Sequence, residues 1–241
     1  MKKTLAALFA FTILASCSKE EKKGNLEISG TIKGLKKGTL YLKQIQDTVL
    51  VNIDTIVFDG KSDFKTAVDI KEPEMLYLFL DRGETASIDN SLPFFAEPGK
   101  MTIDTDLETY YAKAKITGSK NQQLLEEYNQ IKSRFVGQEL EIKVKDMEAQ
   151  IKNKTLPDTE IAKYESAMKR RYLYTANFAI NHKDSEIAPY IVIAETPNLG
   201  LPFMKQVIDA ITPKIAASKY GKILKQLYEE RLKLETPVAM N

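Results

Sequence analysis

The sequence contains no tryptophan, one histidine and one cysteine. A single cysteine cannot supply an internal disulfide framework, a Cys-x-x-Cys pair or a thiolate metal site. A Ser-His-Asp triad would have to be built around His182, and no Gly-x-Ser-x-Gly elbow occurs with it. His182 reads instead as an exposed residue near a helix C-terminus, where the helix dipole favours it. Glycine-rich phosphate loops are absent. Neither sign of charge dominates: 35 Lys and Arg stand against 33 Asp and Glu, a net +2. No basic field therefore marks a nucleic-acid partner. Nothing in this inventory calls for a cofactor or a metal. What remains is a composition 28% charged and 43% hydrophobic, that of a globular chain.

The one cysteine sits in an informative place. Lys2 and Lys3 are followed by an apolar run, Leu5 to Ala15, and by the small residues Ala15 and Ser16 just before Cys17. That order is the order of a secretory signal. The run is too short to span a bilayer, which needs roughly 20 apolar residues. Leu14-Ala15-Ser16-Cys17 resembles the lipobox of bacterial lipoproteins. The resemblance implies removal of residues 1–16 and a diacylglycerol on Cys17, so that the membrane is the first expected partner. A free thiol in an oxidising compartment would be a liability, which argues against a stray cysteine. Residues 17–24 read as a charged tether. Within it Lys19-Glu20-Glu21 resembles the surface-export signal of Bacteroidota lipoproteins. The expected location is the cell envelope, lipid-anchored at the outer membrane, with the periplasmic and surface faces both open.

Residues 25–118 read as an antiparallel β domain. Leu26, Ile28 and Ile32 alternate with polar residues; Gly34 to Gly38 forms a turn and Leu40-Tyr41-Leu42 begins the return strand. Val49 to Phe58 and Phe64 to Ile70 flank Asp59-Gly60, a hairpin signal. Met75 to Leu80 is continuously apolar, as a strand covered on both faces would be. Ala86 to Ile88, Leu92 to Ala96, Met101 to Asp104 and Tyr110 to Ile116 complete about eight strands, with a tight turn at Glu97-Pro98-Gly99-Lys100. Strands joined by short turns predict a sandwich or barrel.

Residues 119–241 read as an α-helical, bundle-like region, making the fold class α+β. Ser119 or Asn121 is placed to cap the first helix. Leu124, Tyr128, Ile131 and Phe135 recur at helical spacing, and Leu140, Val144, Met147 and Ile151 continue the stripe after a five-residue step across Gly137. That step predicts a kink or a rotation of the buried face. Further helices are expected from Pro157 to Asn181, from Asp184 or Ser185 to Ala194, from Phe203 to Ile211 and from Lys219 to Leu234, packed as antiparallel neighbours.

The succession Ile28-Ser29-Gly30-Thr31-Ile32, Gly34-Leu35, Gly38 to Leu42, Glu97-Pro98-Gly99 and Ile116 to Asn121, with Asn181, Ser185 and Ala188 in the helices, resembles a known module. It is similar to the N-terminal domain of unknown function, DUF4369, that precedes a TlpA-like thioredoxin domain in Bacteroidota lipoproteins. In that family a Cys-x-x-Cys pair follows the helices. This sequence has none, so the resemblance implies the accessory module without the redox chemistry.

Other residue groups were weighed for chemistry. Asp104 and Asp106 share a strand face, and paired carboxylates can hydrolyse glycosides, but acids at a strand edge usually serve to block edge pairing. Asp81-Arg82-Gly83-Glu84 offers oxygens to calcium yet has too few acids for a calcium loop. Phe94-Phe95 and Tyr110-Tyr111 would present one ring of each pair outward, as a sugar or partner patch, and bury the other. Two functions therefore stand: a membrane-tethered, non-catalytic binding module with an envelope protein as partner, or an envelope enzyme of glycan or peptidoglycan hydrolase type whose carboxylates the sequence does not identify.

Overall fold

The computed structural model describes residues 23–81, 88–195 and 199–235. Leu14 to Cys17, Lys19 to Glu21 and Arg82 to Glu84 lie outside the described residues.

The fold is α+β. Eight strands are described: β1 Leu26–Lys33, β2 Lys37–Gln46, β3 Val49–Asp59, β4 Asp63–Val68, β5 Glu74–Asp81, β6 Ser91–Ala96, β7 Gly99–Asp106 and β8 Lys115–Thr117. They form two four-stranded sheets, β4-β1-β7-β8 and β3-β2-β5-β6, which do not close into a barrel. Period-two alternation puts Leu26, Ile28, Leu40, Leu42, Leu76, Leu78, Phe94 and Ile103 into one core between the sheets. Tyr110 helps bridge them: its ring is buried and its hydroxyl donates to the Leu78 carbonyl at 3.2 Å.

Several turns do not do what local sequence suggested. β1 pairs with β4 and β7, not with β2. The Gly34–Gly38 turn, the Asp59-Gly60 turn and the Glu97–Lys100 turn each carry the chain from one sheet to the other. The β1–β7 pair is parallel, so the β domain is not wholly antiparallel. Of the segment Tyr110 to Ile116 only its end is strand, and the residues before it form turns. Gly30 sits where β1 and β7 meet most closely; a Cβ there would lie 1.8 Å from the Ile103 carbonyl oxygen.

The helices are α1 Lys120–Ile151, α2 Asp158–Asn181, α3 Ile187–Glu195, α4 Leu201–Ala210, α5 Pro213–Ala216 and α6 Lys219–Glu235. Ser119 is the cap of α1, its hydroxyl accepting from the Gln122 N–H at 2.9 Å. Asn121 lies inside the helix and ties it to α3 instead, accepting from the Ile187 N–H at 2.9 Å. α1 runs unbroken past Gly137. Its inward line passes through Tyr128, Ile131, Phe135, Glu139, Ile142 and Asp146, at steps of three and four. The predicted continuation is wrong: Leu140, Val144, Met147 and Ile151 are 59, 46, 63 and 79% exposed. The buried line goes through Glu139 because Arg171 of α2 meets it, Nε to carboxylate at 2.8 Å.

The helical core shares the outer face of the second sheet. Met75 and Phe95 point away from the sandwich core and pack among Tyr128, Phe178, Ile187, Ile191 and Tyr220. Polar ties reinforce this junction. The Met75 N–H donates to the Tyr220 hydroxyl at 2.8 Å, and the Lys219 ammonium donates to Glu74 at 2.5 Å. Glu72 accepts from the Lys219 N–H at the start of α6, where the helix dipole favours an anion.

Candidate functional site

The feature best placed for function is a groove between the sandwich and the helices. It begins with the problem of β6, the edge of its sheet, whose free N–H groups would attract another strand. α1 lies along this edge. The Phe95 N–H donates to the Gln122 side-chain oxygen at 2.7 Å, so a helix side chain closes the ladder. Further along, α1, β6 of one sheet and β8 of the other leave a hollow of about 530 Å³.

Its walls are mainly apolar: Leu92, Pro93, Ala112, Ala114 and Ile116 from the sandwich, and Leu125, Ile191 and Ala194 from α1 and α3. Three tyrosines belong to it. Tyr111 is 61% exposed on the loop between β7 and β8. Tyr190 packs edge-on to Phe95 at 5.5 Å, and burial, with Tyr77 and Tyr111 nearby, pushes its phenol up to about 12. Tyr128 stacks on Tyr174 of α2 at 5.5 Å, and burial raises its phenol as well. The Tyr128 and Thr175 hydroxyls are 2.8 Å apart.

The charged groups of the groove are already engaged. Glu126 accepts from the Gln122 amide at 2.8 Å. Lys132 pairs with Glu195 at 2.5 Å, and Glu195 also pairs with Arg171, which holds Glu139. This buried network joins α1, α2 and α3 under the floor. The groove thus offers aromatic and aliphatic surface with a few fixed hydrogen-bonding groups, the form of a recognition site. Among the described residues one carboxylate, Glu126, lines it.

Of the residues singled out from sequence, Asp104 and Asp106 stay together beside an open hollow that also holds Lys33, Lys113 and Lys115, and the others are dispersed. Asp104 and Asp106 lie on the outward face of β7. Asp104 accepts from the Thr31 N–H at 2.9 Å; Asp106 accepts from the Thr109 N–H and hydroxyl, both at 2.6 Å. Those bonds to Thr109, with Lys113 at 3.7 Å, hold the Asp106 carboxyl below its ordinary range. Both are structural acids of a strand and its turn. Phe94 and Phe95 are both buried, one in each core, so the expectation of an outward ring fails because helices cover that face. Tyr110 and Tyr111 do divide as alternation predicts. His182 is half-buried rather than exposed, at the C-cap of α2; its Nδ1 lies 2.9 Å from the Phe178 carbonyl and its ring 4.3 Å from that of Phe178. Asp81 ends β5. Among the described residues no group of three or more His, Cys, Asp or Glu is placed to hold a metal, and no helix is long and apolar enough to cross a membrane.

Sequence reasoning missed Gln122 and Tyr190. The one signal for Gln122 was its position two residues after the start of a helix that follows an edge strand; Tyr190 had none beyond its size.

Residues 26–125 match the family model of a domain of unknown function, DUF4369. The matched segment holds all eight described strands and the first turn of α1, the part of the helix that carries Gln122. No curated protein and no solved structure matches the chain. Over residues 26–125 the chain is similar to the DUF4369 family.

Proposed function

We propose that the chain is a non-catalytic binding module of the cell envelope, anchored to a membrane through a lipid on Cys17, which receives an apolar or aromatic segment of a partner protein in the groove between sandwich and helices. The observation that carries the reading is the groove itself. Its surface is mainly tyrosine and aliphatic side chains; of its charged groups, Glu126 is held by the Gln122 amide and Lys132 by Glu195. Tyr111 stands exposed at the rim, where an amphipathic ring serves an interface best.

The test places a photo-reactive residue at Tyr111 in the full-length protein in intact bacterial cells, with mass spectrometry of the N-terminus. The expected result is an acyl mass on Cys17 and one reproducible adduct from position 111. Position 169, an exposed lysine of α2, serves as the control. Equal labelling from both positions would remove the groove from the proposal, and an unmodified Cys17 would remove the anchor.

A further inference from the structure

The distal half of α1 carries an apolar seam left open to solvent. Val136, Leu140, Val144, Met147 and Ile151 recur at steps of four, four, three and four, and each is at least 42% exposed. α2 does not need them; it packs on the opposite side of α1, through Glu139 and Ile142. Large side chains exposed in one line over about 24 Å of helix form a patch that soluble surfaces normally avoid. The three–four spacing is that of a coiled-coil seam, so its natural complement is another helix. A membrane surface matches it poorly, because Glu141 and Glu148 run along one edge and would face anionic headgroups.

A second copy of the chain fits in neither direction. About five turns earlier the same side of α1, at Gln122, Glu126 and Asn129, faces the sandwich. A parallel twin's helix would run into that sandwich. In an antiparallel pair, with Leu140 against the twin's Ile151 and Val144 against its Met147, Glu141 falls opposite the twin's Glu148, and like charges would meet on both sides of the dyad. The Glu141–Glu148 edge asks for the opposite sign, while the other edge carries Lys143 and Gln150.

We propose that the seam from Val136 to Ile151 docks an amphipathic helix of a different protein, one with basic residues along the edge that meets Glu141 and Glu148. This face is separate from the groove, and its test is independent of the groove's.

The probes are two labelled synthetic helices of three heptads with the same leucine seam, one carrying lysine and the other glutamate at both flanking positions. Binding to the purified full-length protein is read by fluorescence anisotropy. The lysine helix should bind in the micromolar range and the glutamate helix at least ten-fold more weakly. E141K/E148K should reverse that order, and Met147→Glu should abolish binding of the lysine helix. Unfolding of each variant, followed in parallel, should move by no more than a few degrees, since these positions are exposed. Equal affinity for the two helices, or indifference to Met147→Glu, would overturn the proposal. So would a concentration-dependent dimer in sedimentation that Met147→Glu dissolves, because a second copy would then be the occupant.

Discussion

The two halves of α1 have the same helical pattern and opposite surroundings. From Lys120 to Lys132 the helix is engaged by the sandwich through Gln122, by α3 through Asn121 and by α2 through Tyr128. Beyond Lys132, which pairs with Glu195 of α3, its named partners are on α2: Arg171 for Glu139, Arg170 for Gln138 and Glu160 for Lys145. The near half buries polar residues such as Asn121 and Gln122, and the far half exposes Leu140 and Met147. Burial along a helix is thus set by what the rest of the chain brings to it. Side-chain polarity alone would have ranked these residues the other way round.

The strongest way to sharpen the contrast is to make one substitution at each glycine of α1 and its lead-in. Gly118, just before the helix, has φ +96°, and a Cβ would stand 2.1 Å from the Lys100 carbonyl oxygen, which cannot move without shifting β7. Gly118→Ala should cost about 4 kcal/mol or more, lowering Tm by roughly 10 °C or preventing folding. Gly137, in the far half, has open space around its Cβ position. Gly137→Ala should stabilise by about 1 kcal/mol, because alanine relieves the glycine entropy penalty in a helix. Thermal unfolding by circular dichroism reads both. A loss at Gly137 would mean that the far half is not the plain exposed helix described.

The next largest effect is expected at the boundary between the halves. Arg171 is buried with Glu139 and Glu195, and Lys132 completes the network. Arg171→Met leaves two buried carboxylates with one ammonium between them, a loss of about 3–5 kcal/mol. The triple change R171M/E139M/E195M should recover much of it, since apolar packing can replace a buried ion network. Denaturant midpoints at constant m would check the pair. If the triple variant were no better than the single one, the network would have to be orienting α3 rather than merely satisfying charge.

The places where sequence reading succeeded and failed follow the same line. Alternation located the strands, because one face of each is buried and period two is a local property. Sheet membership was not legible. Gly34, Gly60 and Gly99 give turn signals, and the residues that decide whether a turn closes a hairpin or crosses between sheets are β4 and β7, far away along the chain. The helical stripe was drawn through Leu140 and Val144 because Glu139 looked like a surface residue; its partner Arg171 lies 32 residues on and nothing local announces the pair. That one ring of Tyr110-Tyr111 is exposed was readable, though not which of the two. The groove that Tyr111 borders was not, since its walls come from β6, β8, α1 and α3.

The smallest expected effect tests whether the far half has stabilising contacts of its own. Glu160, in the first turn of α2, accepts from Lys145 of α1 at 2.8 Å and from Lys163 at 2.5 Å. These bonds, with the charges of the two lysines, lower its carboxyl from 4.5 to about 2. A carboxyl held lower in the folded than in the unfolded chain stabilises the fold above the unfolded value. That contribution fades as pH falls from about 4.5 and is gone once pH passes below about 2. Glu160→Gln should therefore be less stable than the natural chain by a small, constant margin near neutral pH, and the margin should vanish across that acid window. The two lysines are exposed, so added salt should shrink the margin near neutral pH. Urea midpoints for the two proteins at low and high salt measure it. A margin that ignores both pH and salt would show that Glu160 acts through packing alone, and the far half would then be a hairpin held only at its base.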